Sequence, residues 1–402
     1  MWNKPDVQTG KSPAYYAWQR LKRNRTAYAS LLFIGFCTLI SIFGYLISPD
    51  ATPNANDQQI ELETLKPGTE VTLLRIRKNQ PENNIGFLEK MLSGAPENYI
   101  EKPISGYEIL GDKIIVQPIH SQDKSDAETY SLADVIYSLQ DSNITLQNGF
   151  VNFTTYEGEQ NLLLGELQKT VEKEHIVKRT YWLGTDRFGR DMLSRLILGT
   201  RISLGVGFIS VIISLLVGIS LGAMAGFFRG WVDAFIQWLV NVVWSIPTFL
   251  WVMAISLVLG RGFWQVFIAV GLTMWVEVAR LVRGQILSAR ELEYVQAAKA
   301  LGFGNRRIIY KHLLPNILGP VLVIAAANFA SAILLEAGLS FLGVGVQPPS
   351  PSWGMMINDH YGYIVVDAAY LAILPGVAIA LLVLAFNLLG NGLRDALDVK
   401  MK

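Results

Sequence analysis

Cysteine and histidine are scarce in this chain. There is one cysteine, Cys37, among 402 residues, and there are four histidines. A single thiol excludes an intramolecular disulfide framework. Cys37 lies inside an apolar run and is expected as a small core or lipid-facing residue. None of His120, His175, His312 and His360 stands at ligand spacing from another, so no histidine-built metal site is expected. The phosphate-cradling pattern G-x-x-x-x-G-K-[ST] is also missing. Its nearest approach, PDVQTGKS at residues 5–12, starts on proline and follows no strand. No G-x-S-x-G elbow and no Cys/His constellation is present. Charged residues make up 17% of the chain and the net charge is +1, so overall charge points to no nucleic-acid partner. We therefore expect a non-catalytic chain that holds no metal or cofactor itself.

Hydrophobic residues, by contrast, make up 51% of the chain. Several apolar runs reach the roughly 20 residues that cross a hydrocarbon core. They predict six spans, at about 27–47, 202–227, 242–259, 263–282, 317–342 and 371–389. The first follows a basic tail, residues 1–26. It is longer than a signal-peptide core and no A-x-A-like site follows it, so it is read as a retained anchor. Gly205, Gly218, Gly222, Gly271, Gly319 and Gly338 suit close helix–helix approach in lipid, although each is equally consistent with an ordinary membrane-helix glycine.

Residues 48–180 interrupt this pattern. Over residues 50–180 there are 21 Asp and Glu against 12 Lys and Arg. EVTLLRIR from Glu70, DKIIVQPI from Asp112 and FVNFTTY from Phe150 read as strands. SLADVIYSLQ from Ser131, with Ser131 as N-cap, and NLLLGELQKTVEKE from Asn161 read as helices. A small α+β domain is expected; a partly disordered spacer is the alternative.

Orientation follows the basic residues of short loops. Arg280, Arg283, Arg290, Lys299, Arg306, Arg307 and Lys311 crowd one segment, whereas residues 343–370 carry no Lys or Arg. This places both termini and residues 283–316 in the cytoplasm, and residues 48–180 outside. Arg187, Arg190, Arg195 and Arg201 oppose the rule, since they precede the second span on its outer side.

The cytoplasmic segment reads EYVQAAKALGFGNRRIIYKHLLPN from Glu293. Leu292, Val295, Ala298 and Ala300 or Leu301 give a short helix an apolar side. Gly302 is expected to end that helix through a left-handed cap. Asn305 is expected to cap a second helix, and Pro315 to mark entry into the fifth span. The residues alone leave two readings open: a solvated loop whose basic residues set topology, or a rigid contact surface. Helix-glycine-helix also evokes a DNA-reading motif, which a membrane-tethered position disfavours.

The spacing resembles the coupling motif of ATP-binding-cassette importer permeases: E-A-A, three residues, Gly, nine residues, I-x-L-P. Here Gln296-Ala297-Ala298 is followed after three residues by Gly302, and after nine more by His312-Leu313-Leu314-Pro315. Gln296 replaces the motif Glu and His312 the motif Ile; the di- and oligopeptide (and nickel) branch commonly carries a His there. WLGTDRFGRDMLSRLILGTRISL from Trp182 is similar to that branch as well. So are Trp275 with Ala279-Arg280 and Val282-Arg283, LLEAGLSFLGVGVQPPSPSWG from Leu334 and FNLLGNGLRDALD from Phe386. Residues 51–180 do not match.

The resemblance implies an all-α polytopic protein with six transmembrane helices of the type I importer permease fold, carrying a small α+β extracytoplasmic insert. Residues 181–392 would form the permease domain and 393–402 a cytoplasmic tail, in a bacterial inner membrane. The implied partners are a homologous permease, two cytoplasmic ATPase subunits that use ATP, an extracytoplasmic solute-binding protein and the lipid bilayer. Tyr294, Gln296, Ala297, Ala298, Leu301, Gly302, Arg306 and Pro315 would couple to the ATPase. Asn241, Asn328, Glu336 and Asn387 are candidates for the translocation pathway, with hydrogen bonds between helices the alternative for the asparagines and a helix-end hydrogen bond the favoured reading of Glu336. Glu277 is expected to pair with Arg280 or Arg283, with a substrate contact as the alternative. The implied solute is a short peptide. A nickel chelate, a sugar-derived compound or a peptide antibiotic is the alternative for the same machinery, and a membrane receptor or scaffold the alternative from another class.

Overall fold

A computed structural model describes residues 13–81, 85–120, 126–141, 143–260 and 262–397. The near-match to a phosphate loop at residues 5–12 lies outside them. The chain separates into two compact units, one of Ile42–Leu198 with Gly362–Leu371, the other of Met1–Ser41, Gly199–Tyr361 and Ala372–Lys402.

Helices α1 (Pro13–Arg23) and α2 (Arg25–Ile47) open the chain. The insert follows, with β1 (Thr69–Arg77), α3 (Phe87–Ser93), β2 (Tyr99–Leu110), β3 (Lys113–Pro118), β4 (Glu128–Ser131) and α4 (Leu132–Ile136). It continues through β5 (Thr145–Gln147), β6 (Phe150–Thr155), β7 (Gly158–Leu163), α5 (Leu164–Thr170) and β8 (Ile176–Tyr181). All strand pairs are antiparallel, in a sheet ordered β4-β3-β2-β1-β8 and a second ordered β5-β6-β7. The described residues of the insert thus carry both strands and helices, within the compact unit that includes Ile42–Leu198.

The three strands read from alternation are β1, β3 and β6. The longest one missed is β2. Its bulge between Ile104 and Gly106 shifts the register, so its burial does not alternate cleanly. The helix expected from Asn161 begins only at Leu164, because the preceding residues complete β7 against β6. Ser131 does stand at the N-cap of α4, but its side chain makes no capping bond. Leu74, Ile114, Val116, Leu132 and Phe153 lie in the core between the sheets and helices. On β2, the buried carboxylate of Glu101 accepts through Oε1 from Arg75 at 2.8 Å and from Arg179 at 2.7 Å.

This unit also accounts for two of the four arginines that oppose the orientation rule. Asp186 is fully buried, with Arg190 at 2.7 Å and Arg195 at 3.7 Å, and Arg190 donates to the Asn56 side chain at 3.1 Å. Arg190 and Arg195 are structural ion-pair partners, so they carry little topological information.

The remaining helices are α6 (Met192–Phe228), α7 (Gly230–Trp244), α8 (Thr248–Leu259), α9 (Phe263–Ala289), α10 (Glu293–Ala300), α11 (Asn305–Arg307), α12 (Leu314–Phe341), α13 (Trp353–His360) and α14 (Tyr370–Leu397). Among the described residues, five helices are long and apolar enough to cross a membrane, or six spans if the bent pair α7–α8 counts as one. Two expectations need correction. Helix α6 starts ten residues before the expected position 202. The third span is not the continuous helix 242–259: α7 and α8 meet at 89°. Pro247 stands at the break, and a proline both lacks an N–H and disfavours helix in the residue before it.

Helix α6 packs on α9 through a glycine stripe. A Cβ at Gly218 would lie 2.5 Å from Val278, one at Gly222 2.5 Å from the Ala279 carbonyl oxygen, and one at Gly226 2.9 Å from that of Arg283. Gly271 reciprocates against Ile213 at 2.7 Å. No side chain fits there, so these helices approach backbone to backbone. Gly205 and Gly319 meet neighbours only at ordinary contact distance, and Gly338 is intermediate at 3.2 Å from Phe249.

Candidate functional site

The segment after α9 is a rigid elbow. Helix α10 ends as the sequence predicts, with Gly302 at φ +77. The Gly302 amide donates to the Lys299 carbonyl at 2.9 Å and the Phe303 amide to the Ala298 carbonyl at 3.1 Å. This is a Schellman cap, and it turns the chain sharply without leaving carbonyls bare. Phe303 folds back onto the same apolar cluster as Ala298. Gly304, and not Asn305, holds the cap position of the next helix; Asn305 is its first residue. A wide π-type turn, Ile308–Leu313, then joins α11 to α12. It stands directly before Pro315, where an ordinary helix would press the ring on the carbonyl four residues earlier.

Helix α10 has two faces. Val295 and Ala298 are buried, three residues apart, in a floor that includes Phe227, Ile286, Ile308, Leu313 and Ile317. Ala298, expected among the contact residues, therefore packs inward. Tyr294, Gln296, Ala297, Leu301, Gly302, Arg306 and Pro315 are exposed. Tyr294, Ala297 and Leu301 share one side at i, i+3 and i+7, and Leu301 is 73% exposed. Helix α10 thus presents an exposed apolar stripe while its other side is locked from below.

Polar contacts hold the elbow to the spans. Gln296 Nε2 donates to the Arg290 carbonyl at 3.0 Å, and Arg290 Nη1 donates to the Phe227 carbonyl at 2.6 Å. Asn316 Nδ2 donates to Tyr294 Oη at 3.1 Å and to the His312 carbonyl at 2.7 Å. The His312 ring stacks on Phe303 at 6.0 Å between centroids. Sequence reasoning missed the roles of Arg290 and Asn316, since neither is marked by periodicity, whereas Val295 is buried on the apolar side expected of it.

A second feature lies among α7, α8, α9 and α12. There Trp244, Thr248, Trp251, Thr273, Glu277 and Ser331 line a cleft of about 310 Å³. The expected partnership of Glu277 is corrected. Arg283 instead forms a two-pronged pair with Asp233 of α7, at 2.6 Å and 2.6 Å, and Arg280 lies over the Trp244 ring at 3.9 Å. Glu277 is exposed and faces the cleft.

The residues proposed for a pathway divide. Glu336 and Asn328 are buried, at 0% and 1% exposure. Glu336 Oε1 accepts from Ser340 Oγ and Ser352 Oγ, both at 2.7 Å, and so ties the end of α12 to the start of α13. Asn241 and Asn387 are exposed on the surface of the chain. None of the four lines the cleft.

Comparison with known proteins agrees with this architecture. Residues 218–402 match the family of binding-protein-dependent transport system inner membrane components, and residues 12–67 match the N-terminal transmembrane domain of oligopeptide transport permease C. Over 222 residues, the chain is 42% identical to the glutathione transport system permease protein GsiD of Pectobacterium atrosepticum. It is 44% identical to the dipeptide transport system permease protein DppC of Alkalihalophilus pseudofirmus over the same length. Each alignment covers 55% of this chain and 73% of the relative. The oligopeptide transport system permease protein OppC of Bacillus subtilis is 36% identical over 250 residues, 62% of this chain and 79% of that one. The matched stretch contains the elbow, the cleft and the glycine stripe from Gly218, and the chain belongs to the multi-pass permeases of binding-protein-dependent ATP-binding-cassette importers.

Proposed function

We propose that this permease imports short peptides, working beside a second, homologous permease. Two cytoplasmic ATPase subunits would supply the work and a solute-binding protein would deliver the solute. The dipeptide, oligopeptide and glutathione named for the relatives are all peptides, which favours that class. The observation that carries the coupling role is α10: Val295 and Ala298 are buried beneath a stripe of Tyr294, Ala297 and Leu301 that is exposed among the described residues. A helix anchored to α6, α9 and α12 in this way transmits displacement to all three.

The cluster of basic residues in and around this elbow favours a cytoplasmic position, with both termini on the same side. The cleft at Glu277 is the reading we favour for solute contact. An intramembrane acid is costly to keep unless it serves a function. Asn241 and Asn387 would face the second permease. ATP is then used by partner subunits, with no cofactor held by this chain.

Purification of the tagged chain from its native membrane, with every accompanying subunit identified by mass spectrometry, tests the proposal. A second permease and ATPase subunits should co-purify, and Leu301→Asp should release the ATPase subunits while keeping the permease pair. Recovery of the chain with no ATPase subunit would overturn the coupling role. Normal assembly combined with no uptake of di- or tripeptides would overturn the substrate class alone.

A further inference from the structure

Helix α3 of the insert carries its apolar residues on the outside. Phe87 and Leu88 are each 67% exposed and Leu92 is 56% exposed, and none of the seven residues is buried. At 100° per residue, Phe87, Leu88, Met91 and Leu92 fill one arc of about 140°, with Glu89, Lys90 and Ser93 on the other side. The helix is amphipathic, and its apolar face is turned away from the core of its own domain.

The position of that face is set by the residue that follows the helix. Gly94, at φ +80, is pressed on the end of the first span: a Cβ there would lie 2.7 Å from the Ala51 carbonyl oxygen and 2.9 Å from the Tyr45 ring. The Ala95 amide donates to the same Ala51 carbonyl at 2.9 Å. Tyr45 belongs to the last turn of α2, which has 23 residues. Such a helix is about 34 Å long, against a hydrocarbon core of about 30 Å. Tyr45 therefore sits at the level where aromatic residues ring a membrane surface. A seven-residue helix spans only about 10 Å, so all of α3 stays near that level.

We propose that α3 is an interfacial helix. Its Phe87–Leu88–Met91–Leu92 face inserts into the lipid leaflet on the insert's side of the membrane, and Glu89 and Lys90 remain in water. A helix this short is unstable alone in water. Here the Gly94–Ala51–Tyr45 contact holds one end, and lipid provides the apolar surface that the insert does not. The insert is thereby fixed to the bilayer at a further point besides its covalent links to α2 and α6. The inference is independent of the transported solute.

Site-directed spin labelling of the full-length chain in phospholipid nanodiscs tests this, in a Cys37→Ala background that leaves no native thiol. Labels at Leu88→Cys and Leu92→Cys should collide several-fold more with oxygen than with a water-soluble nickel chelate. A label at Lys90→Cys should show the reverse. All three positions are exposed, so the substitutions leave the fold intact. Preference for the nickel chelate at positions 88 and 92 would place the face in water and overturn the proposal. Protection from both reagents would show a protein surface covering it, a second copy or another subunit, and would overturn it equally.

Discussion

The side-chain amide of Gln296 donates a 3.0 Å hydrogen bond to the backbone carbonyl of Arg290, tying the first turn of α10 to the last carbonyls of α9. A carboxylate at this position accepts only and would face that carbonyl with like partial charge. Gln296→Glu is therefore expected to loosen α10 by roughly 1 kcal/mol. Amide hydrogen exchange over residues 293–300 of the reconstituted chain should then quicken about fivefold. Unchanged exchange would mean that the bond contributes nothing to holding the elbow.

Gly302 separates backbone strain from bulk. Its φ of +77 disfavours side chains, yet nothing lies within 4 Å of a Cβ built there. Asn enters the left-handed region more readily than Ala, which is strained there by about 1 kcal/mol or more. Transport should follow the order Gly302→Asn above Gly302→Ala, with Gly302→Trp inactive but still inserted in the membrane. Wild-type transport by a purified Gly302→Trp complex would remove the elbow's outer face from the coupling contact.

Glu277 and Asp233 should behave oppositely on truncation. Asp233 holds Arg283 across two helices, so Asp233→Ala is expected to lower stability by about 1–3 kcal/mol. Among the described residues Glu277 makes no ion pair, and Glu277→Ala should shift stability by less than about 0.5 kcal/mol. It should nevertheless slow solute turnover in the assembled complex. Thermal unfolding of the purified chains, set beside uptake rates, decides the comparison.

The insert should weaken on mild acidification. Burial among β1, β2 and β8 holds the His175 ring below its ordinary range, and its Nδ1 bonds the Arg75 carbonyl at 2.7 Å. A base with a lowered folded-state pKa contributes stability that is present above its unfolded value and lost as pH falls below it. Burial also raises Asp57 and Glu97, with Glu101 adding to the effect in both. Those acids act in the opposite sense, relieving the fold as pH drops through their raised range. Comparison with His175→Gln isolates the histidine. Between pH 7.5 and 5.5 the melting temperature of the insert should fall more in the parent than in the variant. Equal slopes would exclude the ring as the cause.

Local patterns carried much of the architecture. Apolar length marked the spans, and clean alternation marked β1, β3 and β6. The step from Gln296 through Gly302 to Pro315 marked the elbow, because a glycine cap is a one-residue conformational requirement. These signals are legible because each depends on neighbours within a few residues.

What only the tertiary structure decided is which of several reachable partners each group takes. Asp233, 50 residues away in sequence, claims Arg283 and leaves Glu277 to the cleft. Ala298 turns inward while Ala297, its neighbour, turns outward. The direction depends on where Phe227 and Ile308 lie, and residue type alone does not settle it. Strand β2 became visible only through its pairing, since a bulge erases the period that would announce it. By itself the sequence determined that this protein spans a membrane and presents a capped helix between spans. Long-range packing determined which face of that helix is free, because helix periodicity specifies spacing around an axis but not the side from which the core approaches.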